Sequence, residues 1–335
     1  MNKQSVKDSR KQNRRVTFSR SSHLRRVVAI AALGALLLAV AGGAGSVYFL
    51  SDGAGANDPH SEAIARTQAM PDSELLPLTI GGERVSAGEF RYALGEVKAE
   101  AIEACGQGEN AGAGVASSIG ADFWLDNSAR CAPEASPEPR SEAERNQAKL
   151  TDSYSAASQE FCAAARHPSD FAACKAIRLL EQQHAAYAQA VEGGQMSSGT
   201  WAEVTQSLVQ QNEQSEQADS SGNVVYGLGE YDLPTYVSKV ISQLRDAYIN
   251  TDTAPGMDVT DEQVREHYAS NDWDFGAEIE AIEPESAKWD VISGSIKSDL
   301  RSEIYYDLLA QRVQTMDTAI DSAKIVAFTC ATLGS

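Results

Sequence analysis

Val27 to Leu50 is a run of 24 residues without a charge, rich in Ala, Leu, Val and Gly. At about 1.5 Å of rise per residue, a helix of that length spans the roughly 30 Å hydrocarbon core of a bilayer. The run divides the 335-residue chain into two parts of opposite charge. Residues 1–50 carry nine Lys/Arg, all ahead of the apolar run, and one acid, Asp8. The remainder holds 19 basic and 46 acidic residues, net −27. By the positive-inside rule, residues 1–26 form a basic cytoplasmic tail, 27–50 a transmembrane signal-anchor, and the body lies outside the cytoplasm. The alternative is a cleaved signal peptide, whose apolar region is usually shorter, about 7–15 residues. Ala54-Gly55-Ala56 would then be the cleavage site and the body would be secreted. Both readings export the body. A body this acidic repels nucleic acid and anionic lipid, so no nucleic-acid partner is expected.

Export makes the five cysteines informative, because disulfides persist in that environment. Their spacing fits no zinc pattern of paired C-x-x-C type. Cys162 and Cys174 flank a helix break at His167-Pro168-Ser169-Asp170, so a bridge there would staple a helical hairpin. Cys105 and Cys131 would close the Gly- and Ala-rich loop between them, leaving Cys330 over. Spacing does not fix the connectivity, and isolated buried thiols are the alternative.

After a spacer over 51–75, the body reads as helices, with one short strand at each end. Leu75 to Ile80 is a strand and Gly81-Gly82 a turn. Ser86 and Glu89 have capping-box spacing, and Val85 and Phe90 that of a hydrophobic staple. Phe90, Leu94, Val97 and Ala101 then line one helix face. Gly106 to Ala121 and the proline-rich Ala132 to Pro139 read as loops. Helix resumes near Ser141, with Leu150, Tyr154, Ala157 and Phe161 on one stripe up to Cys162 and Pro168 as its stop. Further helices are expected from Phe171 to Val191, ended by Gly193-Gly194, around Trp201, Val204 and Leu208, and from Tyr236 to Tyr248. Thr260 and Gln263 repeat the capping box, with Val259 and Val264 as staple. A long helix follows Trp289, with Ile292, Ile296, Leu300, Ile304 and Leu308 on one face. Lys324 to Thr329 is β-prone and would pair with the strand before Gly81. The expected fold is mainly α, with a small two-stranded β ribbon joining the ends of a domain over 76–330 and one N-terminal transmembrane helix.

The sequence supplies no catalytic constellation: no G-x-S-x-G, P-loop or H-E-x-x-H occurs. Gly106 to Gly112 has the wrong spacing for a dinucleotide loop and follows a helix. Glu181-Gln182-Gln183-His184 has the spacing of a helical di-iron ligand pair, but such sites need a second copy and further carboxylates. His184 therefore reads as a surface or partly buried histidine, and His267 as part of an exposed face. Tyr236, Tyr248, Tyr305 and Tyr306 read as core or groove. No catalytic, metal or cofactor-binding residue is expected.

Leu78-Thr79-Ile80-Gly81-Gly82-Glu83-Arg84-Val85-Ser86-Ala87-Gly88-Glu89-Phe90 resembles the opening of the peptide-binding domain in SurA- and PrsA-type foldases. Val259 to Tyr268 resembles a capped helix of the same proteins, and Asn223 to Gly227 followed by Tyr236 is similar to a linking segment in some Gram-positive relatives. The likeness is scattered over 76–330. It implies a helical chaperone domain that cradles unfolded or newly exported polypeptides, with an exposed apolar surface to hold them. Such foldases usually carry a parvulin prolyl-isomerase domain between the capped helix and the closing helix. Only 13 residues, Gly276 to Lys288, stand there, with Glu278, Glu280, Glu283 and Glu285 among them. The resemblance thus implies a membrane-anchored, extracytoplasmic foldase-like chaperone without isomerase catalysis. The rival readings are a structural or accessory protein of a membrane or cell-envelope complex and a working prolyl isomerase. Membrane contact runs through residues 27–50, and a homo-oligomer is compatible with the sequence, which does not set the number of copies.

Overall fold

Gly81 and Gly82, with φ of 62° and 82°, make the two-residue turn that only positive φ at both positions allows. The turn joins β1 (Leu75–Ile80) to β2 (Glu83–Ser86), antiparallel, with Ile80 opposite Glu83. A third strand, β3 (Thr318–Ile320), pairs antiparallel on the other side of β1, with Ile80 opposite Thr318. The ribbon therefore joins the ends of the body as expected but has three strands, in the order β2-β1-β3.

Its closing strand is not the expected one. Lys324 to Thr329 lies within a helix, Ser322–Leu333. Asp321 caps that helix by accepting from the Lys324 N–H at 3.3 Å, and Ile325, Phe328 and Leu333 turn into the core. Packing on one helical face outweighs the β-branched composition.

This computed structural model describes residues 67, 69–106, 121–124, 131, 142–221 and 229–334. They fall within one compact unit spanning Asn57–Ser335. The expected tail, anchor and most of the spacer lie outside the described residues, as do the interiors of both predicted loops and Asn223 to Gly227. Among the described residues no helix is long and apolar enough to cross a membrane.

In chain order the helices are α1 (Ala87–Gly106), α2 (Ala121–Trp124), α3 (Glu142–Thr151), α4 (Ala156–Ala164), α5 (Pro168–Glu192), α6 (Trp201–Ser220), α7 (Leu233–Ile249), α8 (Asp261–Ser270), α9 (Ala277–Glu280), α10 (Glu285–Gln314) and α11 (Ser322–Leu333). The 25-residue α5 is the axis, packed by α1, α4, α7, α10 and α11. Its buried alanines (Ala172, Ala173, Ala176, Ala185, Ala186, Ala190) let neighbours approach from several sides. The main core gathers Leu78, Ile80, Phe90, Leu94, Ile177, Leu180 and Phe328 from the sheet, α1, α5 and α11.

The stripe expected from Leu150 to Phe161 is broken. Helix α3 stops at Thr151 and α4 restarts after its N-cap Ser155, so Tyr154 sits in the link. Ser153 Oγ donates back to Lys149 O at 2.7 Å, and Ser155 Oγ accepts from the Ser158 N–H at 3.2 Å. Short hydroxyl side chains here compete with the helix backbone. The structure bridges Cys105 to Cys131 and Cys162 to Cys174, the second across the turn between α4 and α5. Cys330 is a free thiol.

Candidate functional site

The Ser86–Glu89 box forms as the sequence specifies: Ser86 Oγ accepts from the Glu89 N–H at 3.2 Å and Glu89 Oε2 from the Ser86 N–H at 3.4 Å. The other Glu89 oxygen, Oε1, lies 2.7 Å from His184 Nε2, and both side chains are buried. A cap on α1 is thus tied to the middle of α5. Three residues further along α1, the Tyr92 hydroxyl accepts from Nε2 of Gln183, the residue before His184, at 3.0 Å. Burial pushes the Tyr92 and Tyr187 phenols above their ordinary range and keeps them neutral.

Glu181, the other half of the E-x-x-H spacing, faces elsewhere. It is fully buried and accepts from the Ser155 N–H at 3.2 Å, Ser158 Oγ at 2.8 Å and Thr318 Oγ1 at 2.7 Å. Glu181 and His184 therefore serve two different neighbours. Among the described residues no three His, Cys, Asp or Glu side chains converge as metal ligands would.

The 13-residue join lies in an arm built from α8, α9 and the first half of α10. Thr260 caps α8 reciprocally: its N–H donates to Gln263 Oε1 at 2.8 Å and its Oγ1 accepts from the Gln263 N–H at 3.3 Å. Val259 and Val264 meet Ile292 and Ile296 in a small core of their own. Trp273 and Phe275 stack with centroids 5.6 Å apart, while Tyr268 meets Trp289 edge-on at 5.8 Å. Arg265 lies 4.2 Å over the Trp289 ring. The join itself is α9 and a turn, tied by Lys288 Nζ to Glu280 Oε2 at 2.6 Å. His267, expected on an exposed face, is buried: Nε2 lies 3.0 Å from Asp299 Oδ2 and its ring meets Trp273 edge-on. The correction has a simple cause. The long α10 passes behind α8 and covers the histidine with residues some thirty positions away.

A cleft of about 300 Å³ opens where the C-terminal turns of α5, α7 and α10 meet. Gln189, Tyr248, Pro255, Leu308, Gln311 and Arg312 are among its lining residues. Tyr236, Tyr248 and Tyr305 are buried, as core residues would be. The exposed apolar surface expected for a polypeptide cradle is sparse. Among the described residues only Leu75, Val209 and Val291 are large hydrophobics left exposed, one each on β1, α6 and α10.

No protein-family model matches the chain, and no solved structure matches it. It is 31% identical over 168 residues to a curated protein of Bifidobacterium longum subsp. longum named chaperone for lacto-N-biosidase. That alignment takes in 50% of this chain and 58% of the relative, so the match spans a little over half of the relative's length.

Proposed function

We propose that this protein is an extracytoplasmic, foldase-like chaperone that assists the folding of an exported client and is held at the membrane through residues 27–50. The 31% match to a protein named as a chaperone carries the reading. Two disulfides within one body suit an oxidising compartment outside the cytoplasm. The two capped helix starts on which the SurA- and PrsA-type likeness rests both form with their box geometry. We read the protein as lacking prolyl-isomerase activity, because α9 and its turn stand where that family's catalytic domain would be. A proline-limited refolding reaction should run no faster in its presence; acceleration would restore the isomerase reading.

So few exposed hydrophobic side chains suit a narrow client range better than general capture of unfolded chains. Deleting the protein from its host should lower the active yield of one or a few exported proteins and leave the rest unchanged. The same sparse surface favours the second reading, an accessory subunit of an envelope complex. An unchanged set of exported proteins, together with one folded, stoichiometric partner recovered from membranes, would assign that role instead.

A further inference from the structure

A buried histidine has two ring nitrogens to satisfy, and the number of protons on the ring decides which partners it can hold. His267 on α8 is such a ring, and its two nitrogens face different kinds of group. Nε2 lies 3.0 Å from Asp299 Oδ2 on α10, and a carboxylate accepts from an Nε2–H in either charge state of the ring. Nδ1 stands between a donor and an acceptor. Asn271 Nδ2, at the C-cap of α8, is 3.3 Å away and also donates to His267 O at 3.0 Å. Glu303 Oε2, one turn beyond Asp299 on α10, is 3.7 Å away.

A neutral ring protonated on Nε2 suits the first arrangement. Its N–H donates to Asp299, the bare Nδ1 accepts from Asn271, and Glu303 has no bond to the ring. A charged ring reverses the choice at Nδ1. The new N–H meets the Asn271 amide as donor against donor and Glu303 as donor against carboxylate. Both carboxylates are then paired to one cation, and α8 is tied to two successive turns of α10. Those turns lie beside Ile304, where the arm's core gives way to the next. The surrounding charges leave this choice open. Lys149 of α3 is shared, 2.9 Å from Asp307 and 3.5 Å from Glu303, so it compensates Glu303 only in part. Arg145 of α3 and Asp272 border the polar recess beyond Asn271, one charge of each sign. On α8 itself Arg265 and Glu266 are exposed and of opposite sign. Trp273 covers the ring edge-on at 5.7 Å and carries no charge.

We propose that His267 is a proton-operated latch between the arm and the body: uncharged it holds Asp299 alone, and charged it closes α8 on Asp299 and Glu303 together. The charged ring has two carboxylate partners when α8 is docked and only solvent when it is not. Falling pH therefore favours the docked arm, and rising pH releases it. An imidazole ordinarily changes charge near about pH 6.5, so the latch works between about pH 8 and about pH 5.5. Ordinary carboxylates stay ionised throughout that range. The latch needs no client and stands whether or not the protein is a chaperone.

The test uses full-length protein in lipid nanodiscs at about 0.15 M salt. Amide exchange over Asp261–Ser270 is expressed as protection factors at about pH 8 and about pH 5.5. In the wild type, protection there should rise about fivefold at the lower pH, the most that one partly screened ion pair supplies. In Glu303→Gln, which keeps Asp299 and removes the second charge, the rise should be about twofold or less. In His267→Gln it should vanish. Glu303 is part-exposed and its variant keeps the buried ring, so Glu303→Gln tests the latch even where His267→Gln disturbs α8. Nitrogen NMR of isotope-labelled histidine reads the proton itself: the His267 ring should carry one N–H at about pH 8 and two at about pH 5.5. An equal rise in wild type and Glu303→Gln overturns the latch. So does the absence of any rise in the wild type, or a ring that keeps one protonation state across the range.

Discussion

Among the described residues no cation pairs with Glu181, and its burial is tolerated because three donors converge on its two oxygens. Those donors come from α4 and its cap and from β3, so one side chain fixes where α4 restarts and where the third strand lies. Glu181→Ala should cost about 3 kcal/mol or more, because it strands several buried donors. Glu181→Gln, which keeps one acceptor oxygen, should cost about 1–2 kcal/mol. Urea unfolding measures both, and a near-neutral Glu181→Ala would show that the three donors find other partners. None of this was legible in the sequence, where Glu181 could be seen only with its neighbour three residues on. Its real partners are 23 to 137 positions away. Glu203 gives a second prediction at this scale. Backbone N–H groups of Ser197, Ser198 and Gly199, with the Ser198 hydroxyl, hold its carboxyl at about 2. Since the folded value lies below the unfolded one, its contribution is complete above about pH 4.5 and fades as pH falls from there towards 2. The carboxylate is solvent-screened, so the contribution is at most about 1 kcal/mol. The stability gap between wild type and Glu203→Gln should therefore be constant above pH 5 and shrink by pH 3.

Elements with local signals were readable, and elements fixed by distant packing were not. The hairpin at Gly81-Gly82 and both capping boxes depend on residues within three or four positions, and all three form. The break at Asp152–Ser155 combines the local Ser153 and Ser155 bonds with the buried Glu181 of α5, which receives the Ser155 N–H, and the helical fate of Lys324 to Thr329 is decided by the main core. Periodicity over a short window cannot register either. The same distinction separates two mutations. Thr260→Ala removes a local cap and should cost about 1 kcal/mol, confined to α8. Breaking the Cys162–Cys174 bridge, which closes a loop of sequence separation 12, should cost about 3 kcal/mol through the unfolded chain. Amide hydrogen exchange distinguishes them: Thr260→Ala should loosen only the arm, whereas Cys162→Ser should lower protection throughout α4 and α5.

Across the whole molecule, burial and charge are unevenly shared. The body has its main core around α5, while the arm closes on Val259, Val264, Ile292 and Ile296, with Ile304 the hydrophobic residue shared with the neighbouring core. The arm is also the most acidic part: residues 258–290 hold eleven Asp/Glu against Arg265 and Lys288. A small core under like-charge repulsion should open more readily than the body, and most readily at low ionic strength, where screening reaches only beyond about 30 Å at 0.01 M. Raising the salt to about 0.15 M shortens that length to about 8 Å and should relieve the repulsion. The attractive pairs of the arm, Lys288 with Glu280 and Arg265 over Trp289, oppose the trend but are outnumbered by the acids. Exchange protection over 259–296 should therefore rise with salt, while the middle of α5, held by apolar packing, stays nearly constant. Uniform protection in both regions at both salt concentrations would mean that the arm opens only with the body. The small core of Val259, Val264, Ile292 and Ile296 would then be part of the same cooperative unit as the packing around α5.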